Sequence, residues 1–258
     1  MNYNCTKKDT MKKLIIVISL FLGFVHNNSI SAPNSFSAAK RVIPEIYKGM
    51  EETIYCGCYY SYKGKKLIPD LESCGYKVRK EEKRANRIEW EHIVPAEHVG
   101  RSHACWKKRD QFPECRKSNG KFISGRRCCN KVDPEFKKAT GNLHNLAPSI
   151  GEVNGNRSNY RFSQLTMKAD QYGQCQAKTD FKSRKFEPRD EVKGDVARVN
   201  FYFESKGYIK ISKSQRRLFQ VWDKQDPVSD YECKIHDRKA KIQGEVNSFV
   251  SEKCKILH

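Results

Sequence analysis

Cysteine is the residue type that most constrains how this 258-residue chain can fold. Eleven cysteines occur in the sequence, and ten of them follow residue 31. A set this dense indicates either disulfide bridges or structural zinc. Zinc is the poorer fit, because Cys56-x-Cys58 and Cys128-Cys129 lack the C-x₂₋₄-C spacing of structural zinc sites. The choice between the two depends on whether the chain is exported.

The N-terminal segment is typical of a secretory signal. A basic stretch begins at Met11, a 12-residue and mostly apolar run covers 14–25, and small residues follow at 29–32. The run is too short to span a bilayer, which requires about 20 apolar residues. A buried core helix is the alternative, but it does not account for the basic start or the small residues. We therefore predict a signal peptide over residues 1–31, with Met11 as the start of translation and cleavage after Ser31.

Cleavage at this position would leave residues 32–258 with ten cysteines. An even number of cysteines in an exported chain predicts disulfide bridges, whose pairing the sequence does not give. The removed segment holds four lysines and one aspartate, so +17 of the chain's net charge of +20 remains. This charge favours a polyanionic partner, such as nucleic acid, an anionic membrane or an acidic glycan. The 38% of hydrophobic residues suffices for a core and argues against disorder.

The remaining chain predicts one α+β domain with several helices, because neither a repeat nor a Gly/Ser/Pro-rich linker divides it. Apolar residues spaced three or four apart predict helices over 39–50 and 192–203. A further helix is predicted to begin at a capping box of Ser212 and Gln215 and to end at Asp226-Pro227.

Two predicted strands flank a long polar stretch in the middle of the chain. Ile88–Pro95 is rich in β-forming residues, and 143–146 predicts a second, short strand that a proline ends. Between them, residues 98–140 hold four cysteines, which favours a disulfide-bridged excursion over a disordered loop. Ser149-x-x-Glu152 then predicts a capping box that opens a helix.

Acidic side chains and an imidazole lie together at the end of the first of these strands. Neighbouring residues of a strand point to opposite faces, so Glu91 and His92 can serve one site only at a strand end or bend, which Pro95 allows. A carboxylate with the amide oxygen of Asn154 offers ligands for a hard cation. The imidazole can take a proton from water near neutral pH. On a basic protein, this combination suits hydrolysis of a phosphodiester.

From these residues alone, a solvated Glu–His pair and a capping Asn154 remain the competing interpretation. Two other functions are excluded more firmly. His92, Glu97 and His98 fit neither zinc-protease signature, and Pro95 would break the helix that those signatures require. A metal-independent ribonuclease needs a pair of histidines, to which no spacing in the sequence points.

The string Glu89-Trp90-Glu91-His92-Ile93-Val94-Pro95-Ala96 resembles the E-W-E-H-[IV]-[VI]-P-A signature of the endonuclease I family. These are bacterial periplasmic or secreted nucleases with a ββα-metal (His-Me finger) fold. The resemblance continues over 144–149 and 151–157, and it includes short segments at 37–40, 55–58 and 73–76. It therefore spans most of residues 32–258 and identifies them as a nuclease domain of this kind.

The resemblance implies a role for each site residue. His92 corresponds to the general base, and Glu91 and Asn154 to the Mg²⁺ ligands of a one-metal site, which Mn²⁺ or Ca²⁺ can also occupy. A G-R-x-x-C pattern assigns the contact with the scissile phosphate to Arg126, with Arg127 as the alternative if the loop path differs by one residue. The double cysteine and the longer loop depart from the family pattern at this point.

The resemblance also implies cleavage of DNA and RNA with little sequence preference, leaving 5′-phosphate and 3′-hydroxyl ends. We expect a monomer in the periplasm or outside the cell, without membrane attachment in its mature form. A non-catalytic cationic protein for nucleic-acid binding or uptake is the alternative function.

The remaining candidates are expected to support the site. Glu89 and His144 are predicted to act behind the catalytic residues, and Asn145 to tie the loop to the strand by backbone hydrogen bonds. Arg157 is predicted to contact phosphate. A basic run either lines the same phosphate-binding face or is a solvated charge run; it comprises Lys178, Lys182, Arg184 and Lys185.

Overall fold

The computed structural model describes Met1 and residues 32–257. The predicted signal peptide and its cleavage point fall outside the described residues, as does His258. The chain's larger compact unit, Ser31–His258, contains all the elements discussed below. None of the described helices is long and apolar enough to cross a membrane.

The described residues form α-helices and short strands in a mixed order, which confirms the predicted α+β class. The helices are α1 Phe36–Tyr47, α2 Glu82–Ala85, α3 Ala96–Gly100, α4 Ala104–Lys107, α5 Gly125–Val132, α6 Pro134–Gly141, α7 Gly151–Arg157, α8 Lys193–Ser205, α9 Lys213–Gln225, α10 Asp230–Gln243 and α11 Ser248–Leu257. The strands are β1 Tyr60–Lys63, β2 Lys66–Pro69, β3 Ile88–His92, β4 Leu146–Ile150, β5 Arg161–Phe162, β6 Lys178–Asp180 and β7 Lys185–Glu187.

A ββα unit lies at the centre of the fold. β3 and β4 pair antiparallel, with Ile88 opposite Ile150 and His92 opposite Leu146, and β4 continues directly into α7. Every residue of β4 is buried. The other strands form the β1–β2 hairpin and a three-stranded sheet in the order β5-β7-β6, in which β5 and β7 run parallel. The first residue of α7, Gly151, donates its amide to Arg87 just before β3, and Arg157 at the end of α7 reaches the carbonyls of His92 and Ile93, so α7 runs alongside β3.

The second strand of this unit contains a proline, contrary to the prediction that a proline would end it. Residues 143–145 form a 3₁₀ turn, and β4 begins only at Leu146 and includes Pro148. Pro148 lies opposite Trp90. In an antiparallel ladder, every second pair of opposed residues has no backbone hydrogen bonds between its members. The backbone hydrogen bonds at the two ends of the β3–β4 pair show that Pro148 and Trp90 form such a non-bonded pair. The missing N–H of the proline therefore costs the ladder nothing.

The predicted helices are present, although their capping differs in part. α1 covers most of 39–50 with Pro44 inside it, and α8 covers the pattern of 192–203. α9 follows Ser212, whose hydroxyl accepts the amide of Gln215, so half of the predicted box forms. The Gln215 side chain instead donates to a backbone oxygen of β5.

The predicted capping box before α7 does not form. The Ser149 hydroxyl donates to the neighbouring Ile150 carbonyl, and α7 begins without a side-chain cap. The Glu152 carboxylate instead accepts the backbone amides of residues 79–81 and the hydroxyl of Tyr76. Glu152 therefore ties α7 to a distant loop instead of closing its own first turn.

Ten cysteines pair as five disulfides, which confirms the disulfide-stabilised framework. The bridges are Cys56–Cys175, Cys58–Cys74, Cys105–Cys129, Cys115–Cys128 and Cys233–Cys254. Two of them lie wholly within residues 98–140, where α3 to α6 are found. The polar excursion between β3 and β4 is therefore folded and bridged, as predicted.

Helix α8 runs through the main core. Ten of its thirteen residues are buried, among them Phe203 and Arg198. The Arg198 guanidinium forms ion pairs with three carboxylates, those of Asp195, Asp223 and Glu232. Pairing of this kind is required because an isolated buried charge costs several kcal/mol.

Candidate active site

The ββα unit brings Glu91, His92 and Asn154 to one cleft. β3 ends at His92, and both of its last two side chains line this cleft, whose volume is about 690 Å³. Asn154 lies in the middle of α7 and reaches the same cleft. Glu91 and His92 are adjacent, and they can share one cleft because β3 ends there.

The Glu91 carboxylate is buried and is held by two donors. Its Oε1 accepts the hydroxyl of Tyr55 at 2.8 Å and lies 3.1 Å from Nη1 of Arg157. Burial raises the pKa of Glu91, and the charge of Arg157 and the Tyr55 hydrogen bond oppose this shift. The side chain is thus fixed in position within the cleft.

The His92 imidazole is held so that one ring nitrogen is available as a base. Its Nε2 lies 2.9 Å from the backbone oxygen of Thr140. Because a carbonyl oxygen only accepts hydrogen bonds, Nε2 carries the hydrogen and Nδ1 keeps the lone pair. The Phe36 ring packs on the imidazole with 4.4 Å between ring centroids. Burial, with the positive charge of Arg126, lowers the pKa of His92 to about 3, so the ring is neutral near pH 7.

Asn154 is oriented by Glu89. The Asn154 Nδ2 donates to Glu89 Oε2 at 2.9 Å, so the amide oxygen is the atom left for a ligand. Glu89 is itself fixed by ion pairs with Arg84 and Arg87. Burial raises the pKa of Glu89, but hydrogen bonds from the two arginines outweigh burial and the pKa is lowered. Glu89 therefore links the Asn154 amide to the two arginines as a charged carboxylate.

The structure separates the two arginine candidates. Arg126 lines the cleft, and its guanidinium lies 5.8 Å from the centroid of the Phe36 ring that packs on His92. Arg127 follows it on α5 but does not line the cleft. The positive charge next to the imidazole is therefore that of Arg126.

Arg157 does not have the position predicted for a phosphate contact. It is 1% exposed, and its guanidinium donates to the backbone oxygens of His92 and Ile93. It also pairs with Glu91 and lies over the Phe162 ring. An arginine committed to these partners holds the end of β3 and the Glu91 carboxylate in place from beneath the cleft.

The two residues of the 144–145 segment have different positions. Asn145 makes two hydrogen bonds with the backbone of Val94, which ties the excursion to the end of β3 as expected. His144 is not brought to the cleft. Its ring contacts the Glu245 carbonyl, Tyr202 and His236, because the 3₁₀ turn directs it toward α8 and α10. The supporting role of His144 stays a prediction, and the structure places its side chain away from the cleft.

Three residues of the site have no signal of their own in the sequence. Thr140 contributes only its carbonyl oxygen, Phe36 only a ring, and Tyr55 a hydroxyl bonded to Glu91. Tyr55 lies in the segment 55–58, one of the short segments that resemble the endonuclease I family, but nothing in that segment indicates that it is a partner of Glu91.

A second group of potential metal ligands lies away from the cleft. His103, Cys105 and Asp133 have ligand atoms within 4.8 Å of one another. Cys105 is bonded to Cys129, and the His103 ring contacts Asp133 directly at 2.6 Å. A disulfide sulfur is not the thiolate that binds a metal, so this group is better explained as a support for the bridge.

A β3–β4–α7 unit that brings an imidazole, a carboxylate and an amide to one cleft defines a ββα-type site. Comparison with known proteins agrees with this class: the family profile of Endonuclease I matches residues 40–254. An extracellular deoxyribonuclease of Aeromonas hydrophila is 42% identical over 238 residues, which cover 91% of this chain and 98% of the relative. A periplasmic deoxyribonuclease of the same species is 39% identical over 93% of this chain and 95% of the relative.

An Endonuclease-1 of Buchnera aphidicola subsp. Acyrthosiphon pisum is 41% identical over 220 residues, which cover 85% of this chain and 82% of the relative. The similarity spans nearly the full length of each chain. The chain therefore belongs to the endonuclease I family.

Proposed function

We propose that the protein is an exported endonuclease that hydrolyses phosphodiester bonds of DNA. Relatives of about the same length are named as extracellular or periplasmic deoxyribonucleases. Five disulfides require an oxidising compartment, which supports the periplasm or the cell exterior as its location. The single observation that carries the proposal is the cleft in which a neutral imidazole stands beside a buried carboxylate and an oriented amide.

We propose that Glu91 and Asn154 hold one divalent cation, Mg²⁺ in the first place, with Mn²⁺ or Ca²⁺ as substitutes. The residues fit such an ion, because a carboxylate oxygen and an amide oxygen are the hard ligands it prefers. The hydrogen bond to Glu89 occupies the Asn154 nitrogen and leaves its oxygen free. When bound, the ion would stabilise negative charge on the phosphate and on the leaving oxygen.

The chain's own residues supply the proton transfer and the positioning. His92 accepts a proton from the attacking water at Nδ1, and the Thr140 carbonyl keeps the ring in the required tautomer. Arg126 binds a phosphate oxygen. Attack at phosphorus breaks the bond to the 3′ oxygen, which takes a proton from solvent water, and the products carry 5′-phosphate and 3′-hydroxyl ends.

We further propose a monomer that acts on RNA as well as DNA with little sequence preference. Contacts to the phosphate backbone carry no sequence information, so recognition through net positive charge gives low specificity. The backbone is shared by both nucleic acids.

Incubation of the oxidised protein with supercoiled plasmid tests the proposal. We expect nicking and linearisation with Mg²⁺ and none with a chelator. His92→Ala should lower the cleavage rate by roughly 100-fold to 10,000-fold, because a positioned base contributes about this much. The variant should remain folded with a lowered Tm, because a buried ring and its contact with Thr140 are lost, and its affinity for DNA should stay near that of wild type. A gel shift without strand scission by the wild-type protein would instead support the cationic binding protein.

A further inference from the structure

A second groove continues from the active-site cleft. Glu97 and Asn159 line both, and beyond them the groove passes Tyr160 and the turn between β6 and β7. Its volume is about 730 Å³. A chain bound across the cleft would enter this groove next, so the charges along it bear on what it can bind.

Three cations of the groove are concentrated at one place on the β5–β7–β6 sheet. Arg161 of β5 lies directly opposite Lys185 of β7, and both are exposed while their neighbours Phe162 and Phe186 are buried. Like charges directly opposite each other on a sheet destabilise it. Arg184 precedes Lys185 and adds a third charge. On its other side Lys185 lies opposite Asp180 of β6, which offsets part of the repulsion. The repulsion that remains between the cations would be relieved by an anion lying between them.

The backbone of Arg184 is in the left-handed region, with a φ of 55°. It is the last residue of the four-residue turn between β6 and β7, which Asp180 supports by accepting the amides of Lys182 and Ser183. Glycine or asparagine suits such a position better than arginine. An arginine at this position therefore costs the turn stability, and a function of its side chain would explain why it stands there.

The Arg184 side chain is held in place without being neutralised. Its Nη2 donates to Asn159 Oδ1 at 3.0 Å, and its guanidinium lies 5.5 Å from the centroid of the Tyr160 ring. Asn159 also donates to Glu97, which is paired with Arg101. Within residues 32–257, no carboxylate forms an ion pair with Arg184. By contrast, Lys178 of the same basic run pairs with Glu187.

We propose that Arg161, Arg184 and Lys185 form a subsite for a backbone phosphate of the bound nucleic acid, beside the scissile phosphate. The inference rests on the proposed function, because the groove is an extension of the proposed catalytic cleft. A nucleic-acid strand is the occupant that fits, since it carries regularly spaced negative charge and can pass from the cleft past Asn159 without a break. The preorganised guanidinium of Arg184 is the central contact.

Binding measurements in a His92→Ala background test the subsite without cleavage. The affinity for a short fluorescent DNA duplex is measured by anisotropy between about 50 and 200 mM salt. Arg184→Gly should lower the slope of log K against log salt by about 0.9, the value for one lost phosphate contact. Lys182→Ala removes one charge from the same turn and is the matched control; its slope should stay near that of the parent.

The stability of Arg184→Gly separates binding from structure. Its Tm should equal or exceed that of the parent. Glycine removes the strain of the left-handed backbone, and we expect this gain to balance or outweigh the loss of the Asn159 and Tyr160 contacts. An unchanged slope, or the same change for both variants, would overturn the subsite. A fall in Tm together with weaker binding would show a structural role instead and would also overturn it. Neither result depends on whether the wild-type protein cuts plasmid, so failure of the proposed function remains distinguishable.

Discussion

At the scale of single residues, side chains that line the cleft have direct neighbours along the chain that do not line it. Arg126 and Arg127 are adjacent on α5, yet only Arg126 lines the cleft. We predict that Arg126→Ala lowers kcat/KM for DNA by roughly 100-fold or more, as expected for loss of a charge that stabilises the transition state. Arg127→Ala is the matched control, and it should stay within about threefold of wild type. Equal losses in initial-rate assays of the two variants would contradict the assignment.

Glu89 offers a prediction about positioning rather than catalysis. Glu89→Gln should weaken the hydrogen bond that orients the Asn154 amide. A neutral amide accepts hydrogen bonds from Arg84, Arg87 and the Asn154 nitrogen less strongly than a carboxylate does. Loss of a residue that orients a metal ligand typically weakens metal binding about 10-fold to 100-fold. We therefore expect a higher Mg²⁺ concentration for half-maximal activity, with kcat recovered at saturating Mg²⁺. A lower kcat at saturation with an unchanged Mg²⁺ requirement would contradict this role.

The sequence predicts those cleft residues that lie near each other along the chain or follow the neighbouring strand. Glu91 and His92 are adjacent, and Asn154 follows the next strand of the unit. The Thr140 carbonyl is 48 residues from its partner His92, and Tyr55 is 36 residues from its partner Glu91. Contacts of this kind depend on how the excursion folds back on β3, which no local pattern encodes.

Burial explains why Arg157 and His144 differ from their predictions. Composition favours a phosphate contact for any arginine near a nuclease motif, but Arg157 is on the inner face of α7 and meets the carbonyls at the end of β3. His144 lies in a 3₁₀ turn instead of the predicted strand, which changes the side to which it points. The strand begins three residues later than predicted, and this shift places His144 away from the cleft.

At the scale of elements, α7 depends on the carboxylate at its N-terminal end. Glu152 accepts three backbone amides and one hydroxyl from residues 76–81. We predict that Glu152→Gln lowers the free energy of unfolding by about 3 kcal/mol at pH 7, since it removes charge-assisted hydrogen bonds from a buried group. Glu82→Gln, at the exposed first residue of α2, should change it by less than about 0.5 kcal/mol. Chemical denaturation measures both.

The contribution of Glu152 should also depend on pH. Burial raises the pKa of Glu152, but hydrogen bonds from the Glu81 and Arg79 amides and from the Tyr76 hydroxyl outweigh burial, and the pKa is lowered. A carboxyl with a lowered pKa stabilises the fold above its unfolded pKa of about 4.3, and the effect is lost as the pH falls through the folded pKa. The difference between wild type and Glu152→Gln should therefore shrink below about pH 4. A difference that is constant down to that pH would contradict the ionised anchor.

The sequence predicts elements well where one periodic pattern dominates. α1, α8 and α9 follow from apolar spacing, and β3 from its β-forming residues. Prediction from the sequence is wrong where the local pattern allows a residue two different structural roles. Pro148 could have ended a strand but fits a non-bonded ladder position, and Glu152 could have capped α7 but reaches the 76–81 loop. Both outcomes are decided by tertiary partners.

At the scale of the whole molecule, the disulfides fix the excursion that carries Arg126. Cys115–Cys128 and Cys105–Cys129 both end on α5, directly after this arginine. We predict that Cys115→Ala with Cys128→Ala lowers the free energy of unfolding by about 3 kcal/mol, as expected for loss of a bridge that closes a short loop. Thiol titration of the native wild-type protein should find no free thiol among the ten cysteines after residue 31. Ten reactive thiols, or an unchanged stability of the double variant, would contradict the framework.

Anomalous diffraction from crystals soaked in Mn²⁺ tests the central claim most directly. Mn²⁺ gives an anomalous signal that Mg²⁺ lacks, and the proposed site accepts either ion. We expect one strong peak within bonding distance of a Glu91 carboxylate oxygen and the Asn154 amide oxygen, next to Nδ1 of His92. A protein that cuts DNA but binds the ion elsewhere, or shows no ion at these two residues, would contradict it.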